Sequence, residues 1–377
     1  MAIRAETGFS LKDDLFNETS VAQLAAGIST AWPSFPAQNF RRRAAKKFPE
    51  LELKQRIMYL VSLLDEMLPD SFPEATDILR KALPSPLDPS LTDDDFGQFI
   101  WAVPGEYVAR NGCTEQHLDQ SLQFLQEATQ RFSSELAIRP FLKAFPKQTM
   151  SFVRRWTDHS NYHVRRLASE GIRPLLPWAL RVVMPQEQVV RILNRLYRDP
   201  TRYVVRSVAN TLNDLSKSNP ERVIETLERW HKRPHADSDE MNWLTRHALR
   251  TLVKSNNAPA LELLGYPSKP AFALSKVSCS ETVKVGNALH WSGSLRSKAN
   301  QRLKIFLCVY FRRKDGSLKP TMFTVKDLSM SNGEVLVVSK QLPFRPMTTR
   351  TLYPGEHAVE LVVNGSARGR QSFQLVQ

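Results

Sequence analysis

HVRRLASEGIR (163–173), YVVRSVANTLN (203–213) and WLTRHALRTLV (243–253) decide the fold, because they repeat at a step of about 40 residues set by Arg166, Arg206 and Arg246. Each string places apolar residues on one face of a helix and an arginine on the other. A period near 40 belongs to two-helix solenoid repeats, in which each unit buries its apolar face only by stacking on its neighbours. Equivalent positions then line one concave wall. That wall is expected to be basic, with Asn210 beside Arg206 and Arg250 beside Arg246. Glu170 interrupts it with a carboxylate, and an anion set in a cationic groove marks a place for chemistry.

The richest segment around this motif is SFVRRWTDHSNYHVRRLASEGIRPLLPW, residues 151–178. Asp158, Ser160 or Asn161 can cap a helix that runs to about Ile172, where Pro174 forbids much continuation. At about 100° per residue, Val164, Leu167, Ala168 and Gly171 share one face, and Arg166, Glu170 and Arg173 share the other. Arg166 and Glu170 are also i,i+4 neighbours. On an exposed helix that spacing makes a surface ion pair worth only tenths of a kcal/mol. Trp178 ends the segment after a Pro-Leu-Leu-Pro turn and puts an aromatic at the edge of the wall. His159 and His163 are four apart, but the helix is expected to begin between them, so no metal site is assigned.

Upstream of the repeats the chain also reads as helical. Seven of its 14 glycines lie in the first 267 residues, and apolar residues recur at helical spacing. IMYLVSLLDEML (57–68) is apolar on nearly all sides and should be well buried. Residues 91–108 predict a cap within Thr92–Asp95 and a helix broken near Pro104–Gly105. Residues 114–145 predict a long helix and then a second one containing Glu135. FRRRAAKKF (40–48), a basic cluster with aromatic ends, reads as a solvated helix face, with a nuclear address as the alternative.

From about residue 267 the pattern changes to alternation. RLKIFLCVYFRR (302–313) is a strong strand, followed by a turn at 314–317; strands are also predicted over 318–328, 334–342, 357–365 and 370–376. Together they predict an all-β sandwich of immunoglobulin type over 267–377, behind a helical-repeat domain over 1–266. The predicted fold is mainly α, a HEAT-like solenoid followed by a small all-β domain.

Charge is divided unevenly among these regions. Residues 1–130 hold 12 Lys/Arg against 19 Asp/Glu, residues 131–250 hold 22 against 12, and residues 268–377 hold 17 against 6. The net charge of +14 therefore sits in the second and third regions, as expected for a polyanion such as nucleic acid. Three cysteines, Cys113, Cys279 and Cys308, are too few for a disulfide framework. No run of about 18 apolar residues appears. A cytoplasmic protein with no membrane partner is expected.

The string SNYHVRRLASEGIRPLLPW (160–178), with SVANTLNDLSKSNPE (207–221) and NWLTRHALRTLVK (242–254) in order, resembles the AlkC family of DNA alkylation repair glycosylases, relatives of the AlkD proteins. The resemblance extends to about residue 256, and an immunoglobulin-like tail marks one branch of the family. It implies HEAT-like repeats that excise cationic N3-alkylated bases, chiefly 3-methyladenine and 3-methylcytosine, from double-stranded DNA held on a concave surface without a deep base pocket. Carried over, the implied catalytic group comprises Glu170, Glu135, Trp178 and Asp214. Arg166 and Arg173 would hold the DNA backbone or help order the site, while Arg206 and Arg246 on the basic wall and Arg312, Arg313 and Arg368 in the basic tail are expected to bind DNA. No metal or organic cofactor is implied, and one concave surface on a monomer suffices, with no obligate protein partner. Two other readings stay open: a non-enzymatic DNA-binding scaffold, and a solenoid that binds an acidic protein.

Overall fold

The computed structural model describes residues 10–91, 96–233, 238–347 and 350–377. The cap expected within Thr92–Asp95 lies outside them. The chain divides into two compact units, Met1–Leu215 and Ser216–Gln377.

In the first unit α1 (Leu11–Leu15) leads into α2 (Glu18–Ala31), α3 (Ala37–Lys47), α4 (Leu53–Met67) and α5 (Phe72–Ala82). α4 buries Ile57, Leu60, Val61, Leu63 and Leu64, so the 57–68 run is a core helix. On α3 the aromatic ends are buried while Arg41 and Arg43 pair with Glu18 and Glu66 at the surface. The basic cluster is a solvated face.

α6 (Ala102–Asn111) does not break at Pro104–Gly105. Pro104 is the third residue of the helix, where the backbone N–H has no partner within the helix to lose. After α7 (Leu118–Ala128) comes a second departure from expectation. Glu135 lies in a turn before α8 (Arg139–Ala144), because Pro140 sets the helix start close to Arg139.

α9 (Pro146–Trp156), α10 (Tyr162–Glu170), α11 (Gln186–Leu196) and α12 (Arg202–Leu215) complete this unit. α10 packs against α12, α9 packs on α10, and α11 contacts both α10 and α12. Val164, Leu167 and Ala168 on one helix and Val204, Val205, Val208 and Leu212 on the other are all buried in this layer. The apolar stripes of the first two strings are the surfaces by which α10 and α12 pack on each other.

The second unit starts with four more helices, α13 (Pro220–His231), α14 (Ser238–Ala248), α15 (Arg250–Lys254) and α16 (Ala258–Leu263). Eight strands follow: β1 (Phe272–Cys279), β2 (Thr282–Lys284), β3 (Ala288–Ser297), β4 (Gln301–Arg312), β5 (Leu318–Met330), β6 (Val335–Pro343), β7 (Gly355–Val363) and β8 (Ser366–Val376). One sheet has the order β1-β3-β6 and the other β2-β8-β7-β4-β5, with β2 parallel to β8 and the other pairs antiparallel. Trp291, Leu295, Val338 and Leu342 of the first sheet share one core with Leu303, Ile305, Leu307, Val359 and Phe373 of the second. β1 to β3 have no counterpart among the predicted strands, although buried Leu289, Trp291 and Leu295 alternate with more open positions along β3. The hairpin between β7 and β8 turns on Asn364 (φ 42°) and Gly365 (φ 96°), the left-handed pair that a two-residue turn requires.

β4 explains why this unit begins before its strands. Its run of buried residues from Ile305 to Val309 fills both faces, as in a strand covered on two sides. Leu307 and Val309 enter the shared core; Phe306 and Cys308 lie on the other side, against Val253 of α15 and Met322. Tyr266 adds a 2.6 Å hydrogen bond from its hydroxyl to Asp327 of β5. The last helices are therefore held to the sheet by side-chain packing, and the compact division falls at 215/216 although the change from helix to strand comes near 267.

Candidate active site

α10 is built as its sequence dictates. Asn161 caps it by accepting a hydrogen bond from the His163 N–H at 2.9 Å. The helix ends at Glu170, two residues before the expected stop. Gly171 follows because a Cβ there would meet Ile138 Cγ2 at 2.9 Å and the Leu167 carbonyl at 3.0 Å.

Arg139 holds the chain beyond this helix. Only 1% exposed, its guanidinium donates to the carbonyls of Gly171 (2.8 Å), Arg173 (2.8 Å) and Leu180 (2.9 Å). Its Nη2 is buried without a hydrogen-bond partner. Burial, together with neighbouring Arg181 and Arg173, pushes its pKa down to about 10, and it stays cationic at neutral pH. A fixed fork of donors suits three diverging carbonyls, which a point-charged lysine could not satisfy together.

Glu170 is 3% exposed, so it is no surface ion-pair residue. Its Oε1 accepts from Arg173 Nη1, and Arg166 Nη2 lies 3.5 Å away. Arg166 also donates to Glu135 and, at 2.6 Å, to the Ser133 hydroxyl. Arg173 reaches Asp214 on α12 through Nε at 3.1 Å, and Asp214 accepts as well from the Leu175 N–H at 3.2 Å. Three carboxylates thus surround two guanidiniums, with the cationic Arg139 near enough to act on Glu135, Asp214 and Arg173.

Burial raises the Glu170 pKa, but Arg166 and Arg173 outweigh it, with a smaller part from the Ser207 hydroxyl, and hold the carboxyl below the usual range. The two guanidiniums are in turn held above theirs, since the carboxylates overcome their own burial. Glu170 is therefore ionised at neutral pH although it sits at a helix C-terminus, where the dipole disfavours an anion. Glu135 is more open, with a quarter of its side chain accessible.

Tyr203 flanks the cluster, with Phe96 packed on it. The Arg166 guanidinium lies 4.9 Å from the centroid of Tyr203, and Phe96 meets that ring edge-on at 5.4 Å with half its own surface exposed. Trp178 is 64% exposed and has φ 61°, a left-handed conformation unusual for a bulky residue. Lys54 donates to its carbonyl at 2.6 Å. Strain of about 1–3 kcal/mol persists only where surrounding contacts over-determine it, which Lys54 and Arg139 do from either side of the turn.

The remaining predicted residues are placed separately. Arg206 is half-buried on α12, and Arg246 is exposed on α14 in the second unit. Arg312 is half-buried, its stem 3.0 Å from where a Cβ on Gly355 would stand, whereas Arg313 and Arg368 are exposed. His159 and His163 do not share a helical turn: the helix starts at Tyr162, and buried His163 packs 4.1 Å from the Tyr162 ring. Among the described residues, no group of three or more His, Cys, Asp or Glu side chains converges as metal ligands would. Sequence reading missed Arg139, Ser133, Ser207 and Tyr203. An arginine among apolar neighbours in ELAIRPF (135–141) was the available signal for the first; the others are ordinary residues whose partners lie 30 to 40 positions away.

Comparison with known proteins fits this arrangement. Residues 113–252 match the family model of the DNA alkylation repair enzyme, and residues 273–377 match that of the C-terminal Ig-like domain of the uncharacterised protein YhaZ. YhaZ of Bacillus subtilis, itself uncharacterised, is 30% identical over 368 residues, covering 96% of this chain and 98% of its own. Among solved structures, the Pseudomonas fluorescens alkylpurine DNA glycosylase AlkC, bound to DNA containing an abasic-site analogue, is 31% identical with a TM-score of 0.83, covering 98% of this chain and 100% of that one. By this agreement in sequence, structure and domain order, the chain belongs to the AlkC family of DNA alkylation repair proteins, in the branch that carries an immunoglobulin-like C-terminal domain.

Proposed function

We propose that this chain is a monofunctional DNA glycosylase that hydrolyses the N-glycosidic bond of cationic N3-alkylated bases, chiefly 3-methyladenine and 3-methylcytosine, in double-stranded DNA. The observation that carries this reading is Glu170, buried yet held ionised between two guanidiniums. An N3-alkylated base is already positively charged. When its bond to C1′ breaks, the electron pair goes to the base and neutralises it, so no acid need protonate the leaving group. Positive charge passes to the deoxyribose, and a fixed carboxylate in a water-poor site stabilises it without reorganising. Water then adds to C1′, its proton leaves to a carboxylate or solvent, and an abasic sugar remains.

The environments of the carboxylates divide the work. Glu170, tied to two cations, is a weak base and a strong fixed charge, so it serves the oxocarbenium-like transition state. Glu135, more open and held by Arg166 and Ser133, is the better acceptor for the attacking water. Asp214 keeps Arg173 in place. Arg166 and Arg173 are spent within the cluster and order it rather than clamp phosphates. Phosphate contacts fall to Arg206, Arg246, Arg313 and Arg368, with Arg312 at their edge, and Trp178 offers its indole face to the cationic lesion. In this reading residues 1–266 form a HEAT-like glycosylase domain without a base-flipping pocket, and residues 267–377 a β-sandwich that contacts DNA. The protein works as a monomer in the cytoplasm, without metal or organic cofactor.

The test is to incubate the protein with methylated duplex DNA and identify released bases by chromatography. Free 3-methyladenine or 3-methylcytosine with an abasic strand is expected, and Glu170→Gln should lower the single-turnover rate by about 100-fold or more while DNA binding persists. A wild-type protein that binds the DNA and releases nothing would make it a scaffold instead.

A further inference from the structure

Between α9 and α11 runs a groove of about 840 Å³ that the proposed chemistry does not use. Its apolar lining is made by Met150, Val183, Met184 and Ile192. Val183 is 97% exposed, unlike the buried valines of the repeat stripes. The rim carries Lys147, Arg154, Arg191 and Arg195, and no carboxylate lines the groove. Arg191 reaches Glu187 only at 4.0 Å, and Arg195 pairs with Asp158, both at well-exposed positions where such pairs contribute little. Among the described residues Lys147 and Arg154 form no ion pair.

None of these side chains belongs to the cluster of Glu135, Glu170 and Asp214, which is carried by α10, α12 and the turn before α8. A surface for the DNA backbone needs cations but gains nothing from an apolar lining. A cationic rim around methionines and branched aliphatics suits a different ligand, one with an apolar anchor flanked by acids. Methionine adapts its unbranched side chain to whatever enters, as promiscuous peptide grooves require.

We propose that this groove docks a short acidic segment of a partner protein. One or two aliphatic or aromatic side chains would seat on Met150, Met184 and Ile192, and neighbouring carboxylates would meet Lys147, Arg154 and Arg191. The repair protein could thereby be recruited by another protein while its DNA-facing residues stay free. The proposal stands independently of the glycosylase reading, since it concerns other residues and no reaction.

Binding of a fluorescent hexapeptide, four aspartates followed by leucine and phenylalanine, to the full chain would be followed by anisotropy. Saturable binding with a dissociation constant of roughly 1–100 μM is expected. Lys147→Glu with Arg154→Glu should weaken it by about tenfold or more. Val183→Asp, on the connection rather than a helix, should weaken it independently, as should asparagine in place of the aspartates. Undamaged duplex DNA should bind wild type and variants alike. No peptide binding at about 1 mM, or equal binding by the charge-reversed protein, would overturn the proposal. So would a matching loss of duplex affinity in that variant, which would make the groove a DNA surface.

Discussion

Arg173 and Arg313 are the same residue type in two regions of similar positive charge, yet one is enclosed by Glu170 and Asp214 and the other stands in solvent at the β4–β5 turn. Removing the first leaves two buried carboxylates short of their counter-charge. Removing the second leaves water where a side chain was. A cation in a basic segment therefore has two possible duties, ordering an anionic cluster or attracting a polyanion, and burial decides between them.

The largest contrast is expected in stability. Arg173→Met should cost about 3–5 kcal/mol, because breaking a buried pair strands its partners, and should abolish base release along with it. Arg313→Met should stay within about 0.5 kcal/mol of wild type. Urea unfolding of both variants decides the matter, and equal midpoints would erase the distinction.

Acid should separate the regions next. The folded pKa of Glu170 is depressed below its ordinary 4.5, so its ionised form adds stability at pH values above 4.5. That contribution disappears as pH falls through the lower, folded value. Unfolding midpoints measured from pH 6 downward should therefore drop less steeply in Glu170→Gln than in wild type, while Arg368→Gln follows the wild-type curve. Parallel curves for wild type and Glu170→Gln would mean that Glu170 is not held ionised by its arginines.

The smallest effect concerns DNA affinity alone. Arg313→Gln and Arg368→Gln should each reduce the slope of log affinity against log salt by about 0.9, without changing the rate of base release at saturating DNA. An unchanged slope in both would remove the β domain's turns from the DNA interface.

Much of the site was legible because α10 is a short local structure. A cap among Asp158, Ser160 and Asn161, the apolar stripe and the joint face of Arg166, Glu170 and Arg173 all follow from spacing within one short segment. Glu135 was legible as a residue but not as a conformation, since Pro140 moved the helix start past it. Arg139 was legible only as an arginine among the apolar neighbours of ELAIRPF (135–141), not in its contacts: its partners are backbone carbonyls 32 to 41 residues away, which carry no side-chain signature. The same reason hid the cover that α15 gives to β4. The run KIFLCVYF (304–311) shows that both faces are apolar, but not what lies on the second one.

By itself the sequence determined the periodic stripes, the short stretch holding the helix cap, the switch to strands and the sign of the charge, because each depends on residue type and short-range spacing. Tertiary structure alone decided that Glu170 is enclosed, that Glu135 and Asp214 join its arginines from distant segments, and that Trp178 is held in a strained, exposed turn. These depend on which distant segments meet and on how much water is excluded where they do, and the strength of a charge in a protein is set by that exclusion.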